Sequence, residues 1–260
     1  MEFKKVLSTP LTAAKLVLAF TSPIQTLIDQ LSLVHDLCNQ QAMQILKNDG
    51  FITEAEVIAQ FLDQIDAGTA WADEGGKYMA HYHNPITGKG CKGWLSAGDQ
   101  CAKYLELAIN EADRGEWEQT FFYLGAAGHL VQDLCVPYHA HNILFSGHHH
   151  YEKWAEEYAE EYLVDSGGIY SENLKTGREW VQANAKTSYD LIPLLLNKSH
   201  NGYKQATKRM LPRAQKTSAG FFKYFLDYTQ LSEKVSRDLC QNRELKNNLP
   251  QSTGARGRNR

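Results

Sequence analysis

At 260 residues, 43% of them hydrophobic, the chain is long enough to bury a full core in one domain or two. Its net charge of −3 excludes a scaffold that binds nucleic acid by bulk charge, and no apolar run approaches the ~20 residues needed to span a bilayer. The five cysteines are odd in number and form no C-x-x-C pair, which excludes a disulfide framework and a cysteine zinc knuckle and leaves buried thiols as the expectation.

In chain order, residues 1–23 form an N-terminal segment. Two lysines precede a moderately apolar run, Val6 to Phe20, as in a signal peptide, but Pro10 and Lys15 interrupt it and no small-x-small cleavage site follows. From Ile24 to Lys47 apolar residues recur at helical spacing (Leu27, Leu31, Val34, Leu37, Met43, Ile45), and Asn48-Asp49-Gly50 is a stop. Thr53 to Glu56 reads as a capping box opening a second helix that runs to about Ala67. Gly68 to Leu95, with six glycines and Pro85, reads as a long loop, and loops of that length are usually functional. Helices are predicted over Ala97–Asp113 and Glu116–Leu134, an antiparallel pair split by Gly115. Tyr151–Val164 is a further helix in which Glu156, Glu157, Glu160 and Glu161 make a solvated face. Glu172–Leu196, with Pro193 near its end, and Ala206–Leu231 complete the set. Residues 236–260 read as a polar, disordered tail, basic from Asn247. No strand, repeat or nucleotide-binding glycine loop is found. The expected fold class is all-α: a single helical bundle domain over 24–235, with a multi-metal site between its helices and a long active-site loop.

The chemistry concentrates between Gly128 and Glu152, a stretch holding six of the ten histidines. His129 and Asp133 are four apart on a predicted helix and so share a face. His148 and Glu152 repeat the offset, with Pro137 ending the first helix and His139 following in the turn. Imidazole and carboxylate are the ligands of catalytic zinc. Histidines 148 to 150 could instead be a solvated polar loop, but two such pairs around a third histidine make a metal-ligand layout. His35, on an apolar helix face, and His81, eight residues after Asp73, extend the set to five histidines and three carboxylates. One zinc needs about four ligands, so eight call for two ions or more sharing a carboxylate. Such a cluster suits phosphate ester hydrolysis.

The run F-F-Y-L-G-A-A-G-H-L-V-Q-D-L-C-V-P-Y-H-A-H-N resembles the signature of the zinc-dependent bacterial phospholipase C family, of the lecithinase and alpha-toxin catalytic-domain type. The resemblance extends to V-H-D-L-C-N-Q-Q-A-M-Q-I-L-K-N-D, A-W-A-D, H-Y-H-N-P-I-T-G-K and H-H-Y-E-K-W. It implies two or three zinc ions. Asp73, His81, His129 and Asp133 correspond to the first site, His139, His148 and Glu152 to the second, and His35 to the third, bridged by Asp133. It implies Asp73 as general base and Tyr78 as a choline-contacting aromatic. Where the lecithinases carry a second aromatic this chain has Glu74, a carboxylate able to attract a cationic head group. The resemblance further implies a phospholipid or other phosphodiester substrate, peripheral lipid contact, a monomer, and secretion or cell-surface location, with the cytoplasm left open. In the family a mature N-terminal tryptophan completes the third site. It is expected within Ser22–Gln30, which contains none, the first tryptophan being Trp71. The toxins also add a lipid-binding β-sandwich; without one, packed bilayers are expected to be poorer substrates than dispersed lipids.

Two other readings share these residues. Single-strand nucleases of the same scaffold usually end on aspartate after a longer loop; Glu152, the short His139–His148 interval and the negative net charge favour the lipase branch and make a nucleic-acid substrate the second reading. A metal-binding protein with an impaired third site and no turnover is the third. His141 and His149, beside candidate ligands, are expected to orient them, whereas His150 and His200 are expected on the surface.

Overall fold

The computed structural model describes residues 22–144 and 147–235, with side chains from residue 33 onward. The segment 1–21, the tail 236–260 and the side chains of Ser22–Gln30, on which three of the expectations fall, lie outside the described residues. The fold is all-α, and among the described residues the only β-type pairing is an isolated bridge between Asn84 and Lys89. No helix there is long and apolar enough to cross a membrane.

The central element is α5, defined with its neighbours as α1 Ser22–Asn48, α2 Ile52–Gln60, α3 Leu62–Asp73, α4 Ala97–Arg114 and α5 Trp117–Asp133. Every residue of α5 from Leu124 to Asp133 is buried, so this helix is wrapped by the others instead of showing one apolar stripe. Gly115, at φ 75°, caps α4 by donating to the carbonyls of Glu111 and Ala112, and the chain returns as α5. Cys101 Sγ then meets the Ala127 carbonyl at 3.4 Å, as an antiparallel pair requires.

Helix α3 runs alongside α5 in the same direction. Phe61 stacks on Phe121 at its start, with ring centroids 4.3 Å apart, and Asp73 reaches His129 at its end. Midway there is no room for side chains: a Cβ on Gly125 would sit 2.0 Å from the Ile65 carbonyl oxygen, and one on Gly68 would sit 1.8 Å from that of Phe122. This close approach aligns the C-terminal ends of the two helices. Gly125→Ala is therefore expected to destabilise the protein by about 3 kcal/mol or more, visible as a lowered denaturation midpoint; an unchanged midpoint would show that the helices can separate freely.

The remaining elements are α6 Pro137–Ala140, α7 His148–Glu157, α8 Gly177–Tyr189, α9 Ile192–Leu195 and α10 His200–Thr229, with 3-10 turns at Gly75–Ala80 and Ala159–Tyr162. Several expectations are corrected. The stretch from Gly68 is not loop throughout: α3 continues to Asp73 because Gly68 serves a helix contact, and Gly75–Ala80 is a 3-10 turn. The second expected helix breaks at Phe61, and Thr53 does not cap it, since α2 starts at Ile52 without a side-chain cap. Pro137 does not end α5 but occupies the first turn of α6, where its missing N–H costs nothing. Glu172–Leu196 is two helices. Thr176, accepting from the Glu179 N–H at 3.3 Å, starts α8 later than expected, and Pro193 can only sit in the first turn of a new helix, α9. Helix α10 begins before Ala206 and carries Pro212 internally. Helix α7 ends at Glu157, and of the four expected solvated glutamates 157, 160 and 161 are exposed and 156 half-buried.

Candidate metal centre

The C-terminal ends of α3 and α5 deliver Asp73, His129 and Asp133 to one point. His81 follows the 3-10 turn after α3, His35 comes from α1, His139 from α6, and His148 and Glu152 from successive turns of α7. All eight candidate ligands fall in three groups whose ligand atoms lie within 4.8 Å of one another: His81, His129 and Asp133; His139, His148 and Glu152; and His35, Asp73 and His129. Asp73 Oδ1 also lies 3.5 Å from His81 Nδ1 and 3.4 Å from His129 Nε2. Asp133 is the hub. Its Oδ2 is 2.8 Å from His81 Nδ1, 3.2 Å from His129 Nε2 and 3.4 Å from His139 Nδ1, and its Oδ1 is 3.5 Å from His35 Nε2.

The hydrogen bonds behind the ligands decide which nitrogen faces inward. His35 Nδ1 donates to Gln132 Oε1 at 2.7 Å, His81 Nε2 to the Ala72 carbonyl at 3.1 Å, and His139 Nδ1 to the His81 carbonyl at 3.0 Å. Each of these neutral imidazoles has then spent its proton, leaving a lone pair on His35 Nε2, His81 Nδ1 and His139 Nε2. That explains why Asp133 Oδ2, despite its close nitrogens, is buried without a hydrogen-bond donor. It also sets His139 Nε2 against His148 Nε2 at 2.7 Å, with Glu152 Oε1 2.7 Å from the latter. With the His139 lone pair on one side, so close a contact between two ring nitrogens needs a proton or a cation between them. The donor set, nitrogen and carboxylate oxygen with ring nitrogens anchored from behind, fits zinc. His35, His81 and His139 have that anchor, whereas the buried Nδ1 of His129 finds no partner among the described residues.

Without a metal, protons take that place. Burial pushes the pKa of His139 down, but the Asp133 and Glu152 carboxylates overcome this and raise it from 6.5 to about 9. Burial likewise opposes, and Asp133 and Asp73 outweigh it, in holding His129 well above its ordinary value. Burial would raise Asp73, yet His129 and then His81 keep its carboxyl below the usual range, so it stays ionised. Since the His139 value is raised, its charge stabilises the metal-free fold fully below pH 6.5, and that contribution is lost as pH rises through about 9. Zinc requires neutral imidazole, so its stabilising effect grows over the same interval. Melting curves at the two ends of this interval should show the chelated protein losing several degrees toward the alkaline end while the gap to the zinc-loaded protein widens. A chelated protein with the same midpoint at both ends would contradict this electrostatic account.

Residues that sequence reasoning missed surround the cage. Tyr82 is buried and stacks on His139, with centroids 4.9 Å apart; burial and then Glu152 push its hydroxyl pKa upward. Gln132, besides holding His35, donates to Asn39 Oδ1 at 2.8 Å and Ser218 Oγ at 3.0 Å, and Asn39 passes the chain to Asp66 at 2.8 Å. A small cavity with an apolar wall of Cys38, Met210 and Leu211, all buried, lies beside His35, Asp133 and Glu152. Tyr78 and Glu74 both follow Asp73 on the surface, the tyrosine half exposed and the Glu74 carboxylate 4.0 Å from Lys77 Nζ. His141 does not orient a ligand: its ring stacks on Tyr189 and its Nε2 donates to the Tyr189 carbonyl at 2.8 Å. His149, also expected beside the ligands, is exposed, as are His150 and His200. Cys38, Cys91, Cys101 and Cys135 are buried free thiols.

Comparison with known proteins finds named relatives of the chain. The sequence model of the family described as zinc dependent phospholipase C matches residues 34–241. The phospholipase C of Clostridium perfringens is 29% identical, over 74% of this chain and 58% of that one. A phospholipase C of Bacillus cereus is 24% identical, over 56% of this chain and 57% of its own length. The solved alpha toxin from Clostridium absonum superposes with a TM-score of 0.67 at 26% identity, covering 75% of this chain and 63% of that one. The chain thus spans less than two thirds of the length of these relatives.

Proposed function

Since the chain belongs to the zinc-dependent phospholipase C family, we propose that it is a phosphodiesterase hydrolysing the glycerol–phosphate bond of phospholipids, releasing diacylglycerol and a phosphorylated head group. The convergence of all eight candidate ligands on a shared Asp133 carries this reading. Two zinc ions would find donors in the His81–His129–Asp133–Asp73 and His139–His148–Glu152 groups, and His35 with Asp133 Oδ1 offers the start of a third site. Bound zinc supplies Lewis acidity toward the phosphoryl oxygens and lowers the pKa of water.

The side chains do the rest. Asp73, ionised and part-exposed at the edge of the cage, can accept the proton of an attacking water. Tyr78, half exposed five residues on, offers an aromatic face to a cationic head group, and the Glu74 carboxylate adds attraction beside it. A monomer exported from the cell or held at its surface is part of the same reading. The relatives' names support a lipid substrate over single-stranded nucleic acid, and the donor groups for two ions weigh against a protein without turnover. Turnover with added zinc on a dispersed phospholipid, a choline phosphodiester and single-stranded DNA, run in parallel, tests it. Lipid and choline ester hydrolysis is expected; cleavage of DNA alone, or no hydrolysis by zinc-loaded protein, would overturn it.

A further inference from the structure

Of the three ring nitrogens anchored from behind, one has an anchor of a different kind. His81 Nε2 and His139 Nδ1 donate to backbone carbonyls, which can only accept and so fix the position of the ring proton unaided. His35 Nδ1 instead meets the side-chain amide of Gln132, at 2.7 Å. An amide can present either its oxygen or its NH2 group, and the two ends make opposite demands on the ring. With the oxygen forward, neutral His35 holds its proton on Nδ1 and keeps a lone pair on Nε2, the atom 3.5 Å from Asp133 Oδ1. With the NH2 forward, Nδ1 must accept, the proton sits on Nε2, and the ring offers a cation nothing there.

The choice is made two residues further back. Gln132 Nε2 donates to Asn39 Oδ1 at 2.8 Å and to Ser218 Oγ at 3.0 Å. Asn39 Nδ2 donates to Asp66 Oδ1 at 2.8 Å and to Thr69 Oγ1 at 3.2 Å. Both hydroxyls have spent their own protons on backbone carbonyls, Ser218 on Ala214 at 2.8 Å and Thr69 on Gly125 at 3.3 Å, so each is left to accept. Ionised Asp66 can only accept. Every side-chain donor from His35 to Asn39 therefore points away from the metal centre and toward Asp66. Turning either amide round would set oxygen against oxygen at 2.8 Å, and both amides are buried, where an unpaired polar group is costly. Asp66 itself is half-buried on α3, two turns before Asp73.

We propose that Asp66 is a positioning residue which, through Asn39 and Gln132, fixes the proton of His35 on Nδ1 and so keeps His35 Nε2 free for a metal ion. The proposal rests on His35 being a ligand of the metal centre. Hydrogen bonds aligned in one direction polarise one another, so the carboxylate at the far end also makes Nε2 a better donor to the ion. His81 and His139, held directly by backbone, owe nothing to Asp66.

The test is the tautomer of His35 in the full chain, read by long-range proton–nitrogen NMR correlation of the labelled imidazoles in chelator. It is run at about pH 8, where Asp66, whose pKa burial chiefly raises to about 6, is ionised. The unaltered protein is expected to carry the His35 proton on Nδ1 alone. Asp66→Leu, which removes the final acceptor, should bring in the Nε2–H form. Asp66→Asn keeps the shape and one acceptor oxygen, so it should bring in less of that form and safeguards the fold. In a Gln132→Leu background, Asp66→Leu should change nothing further, because the connection is already cut; an effect transmitted by general loosening of the helices would add. Zinc added back should shift the His35 Nε2 resonance, at a concentration about tenfold to a hundredfold higher in Asp66→Leu, while the His148 resonances respond as before. A pure Nδ1–H ring in both Asp66 variants, an Nε2–H ring in the unaltered protein, or a His35 resonance unmoved by zinc would overturn the proposal. None of these readings uses turnover, so failure of the phospholipase reading would appear separately, as zinc-loaded protein with the expected tautomer and no hydrolysis.

Discussion

Asp133→Ala is expected to remove zinc and turnover together, with kcat/KM falling by about a thousandfold or more, the scale on which loss of one electrostatic stabiliser acts. Geometry makes this residue the most damaging single loss. Its two oxygens face four imidazoles: Oδ2 faces His81, His129 and His139, and Oδ1 faces His35. Among the described residues no other carboxylate touches all three ligand groups. Burial penalises its charge, but His129, His139 and His81 hold its carboxyl well below the usual range, so it is an anion throughout the working range of pH. Removing it leaves inward-facing lone pairs with a smaller negative charge to gather cations around. Metal analysis of the purified variant beside its steady-state rate is the measurement; full zinc content with undiminished turnover would mean that the shared carboxylate is not the hub.

Asp73→Asn should behave differently. Asp73 Oδ1 lies at 3.4 and 3.5 Å from two imidazoles, but its side chain is 19% exposed and therefore reachable by water. The amide keeps one oxygen for coordination and cannot accept a proton. Zinc content is expected to remain near that of the unaltered protein while kcat drops by about a hundredfold to ten-thousandfold, the usual contribution of a positioned base. Equal loss of zinc and rate would make Asp73 chiefly a ligand.

The sequence made the imidazole and acid groups legible because helical offset is readable. The pairs His129–Asp133 and His148–Glu152 are four apart, and both pairs do share a helix face. His35 and His81 entered the set by residue type beside the central cluster, since a lone histidine on an apolar stripe or in a glycine-rich segment carries no spacing signal. Tyr82, Gln132 and Asn39 were missed for a related reason. Phenol and amide side chains act here by packing and by hydrogen bonds between residues as far apart as 39 and 132, which no local period encodes. Glycine misled in one place: Gly68 was counted among loop glycines, whereas its lack of a side chain serves the contact with Phe122 that aligns α3 with α5. Helix starts were misplaced where capping chemistry was read once and needed elsewhere. Thr53 caps nothing, whereas Ser96 and Thr176 accept from the N–H groups of Asp99 and Glu179.

All of this turns on one arrangement, eight side chains from five helices and one connecting segment, placed to hold zinc. Diffraction from zinc-loaded crystals at wavelengths on either side of the zinc edge locates the ions directly. Anomalous peaks are expected between His139, His148 and Glu152 and between His81, His129, Asp73 and Asp133, each about 2.0–2.2 Å from nitrogen and oxygen ligands. Peaks confined to surface histidines such as His149 and His150, with the buried groups empty, would contradict the account.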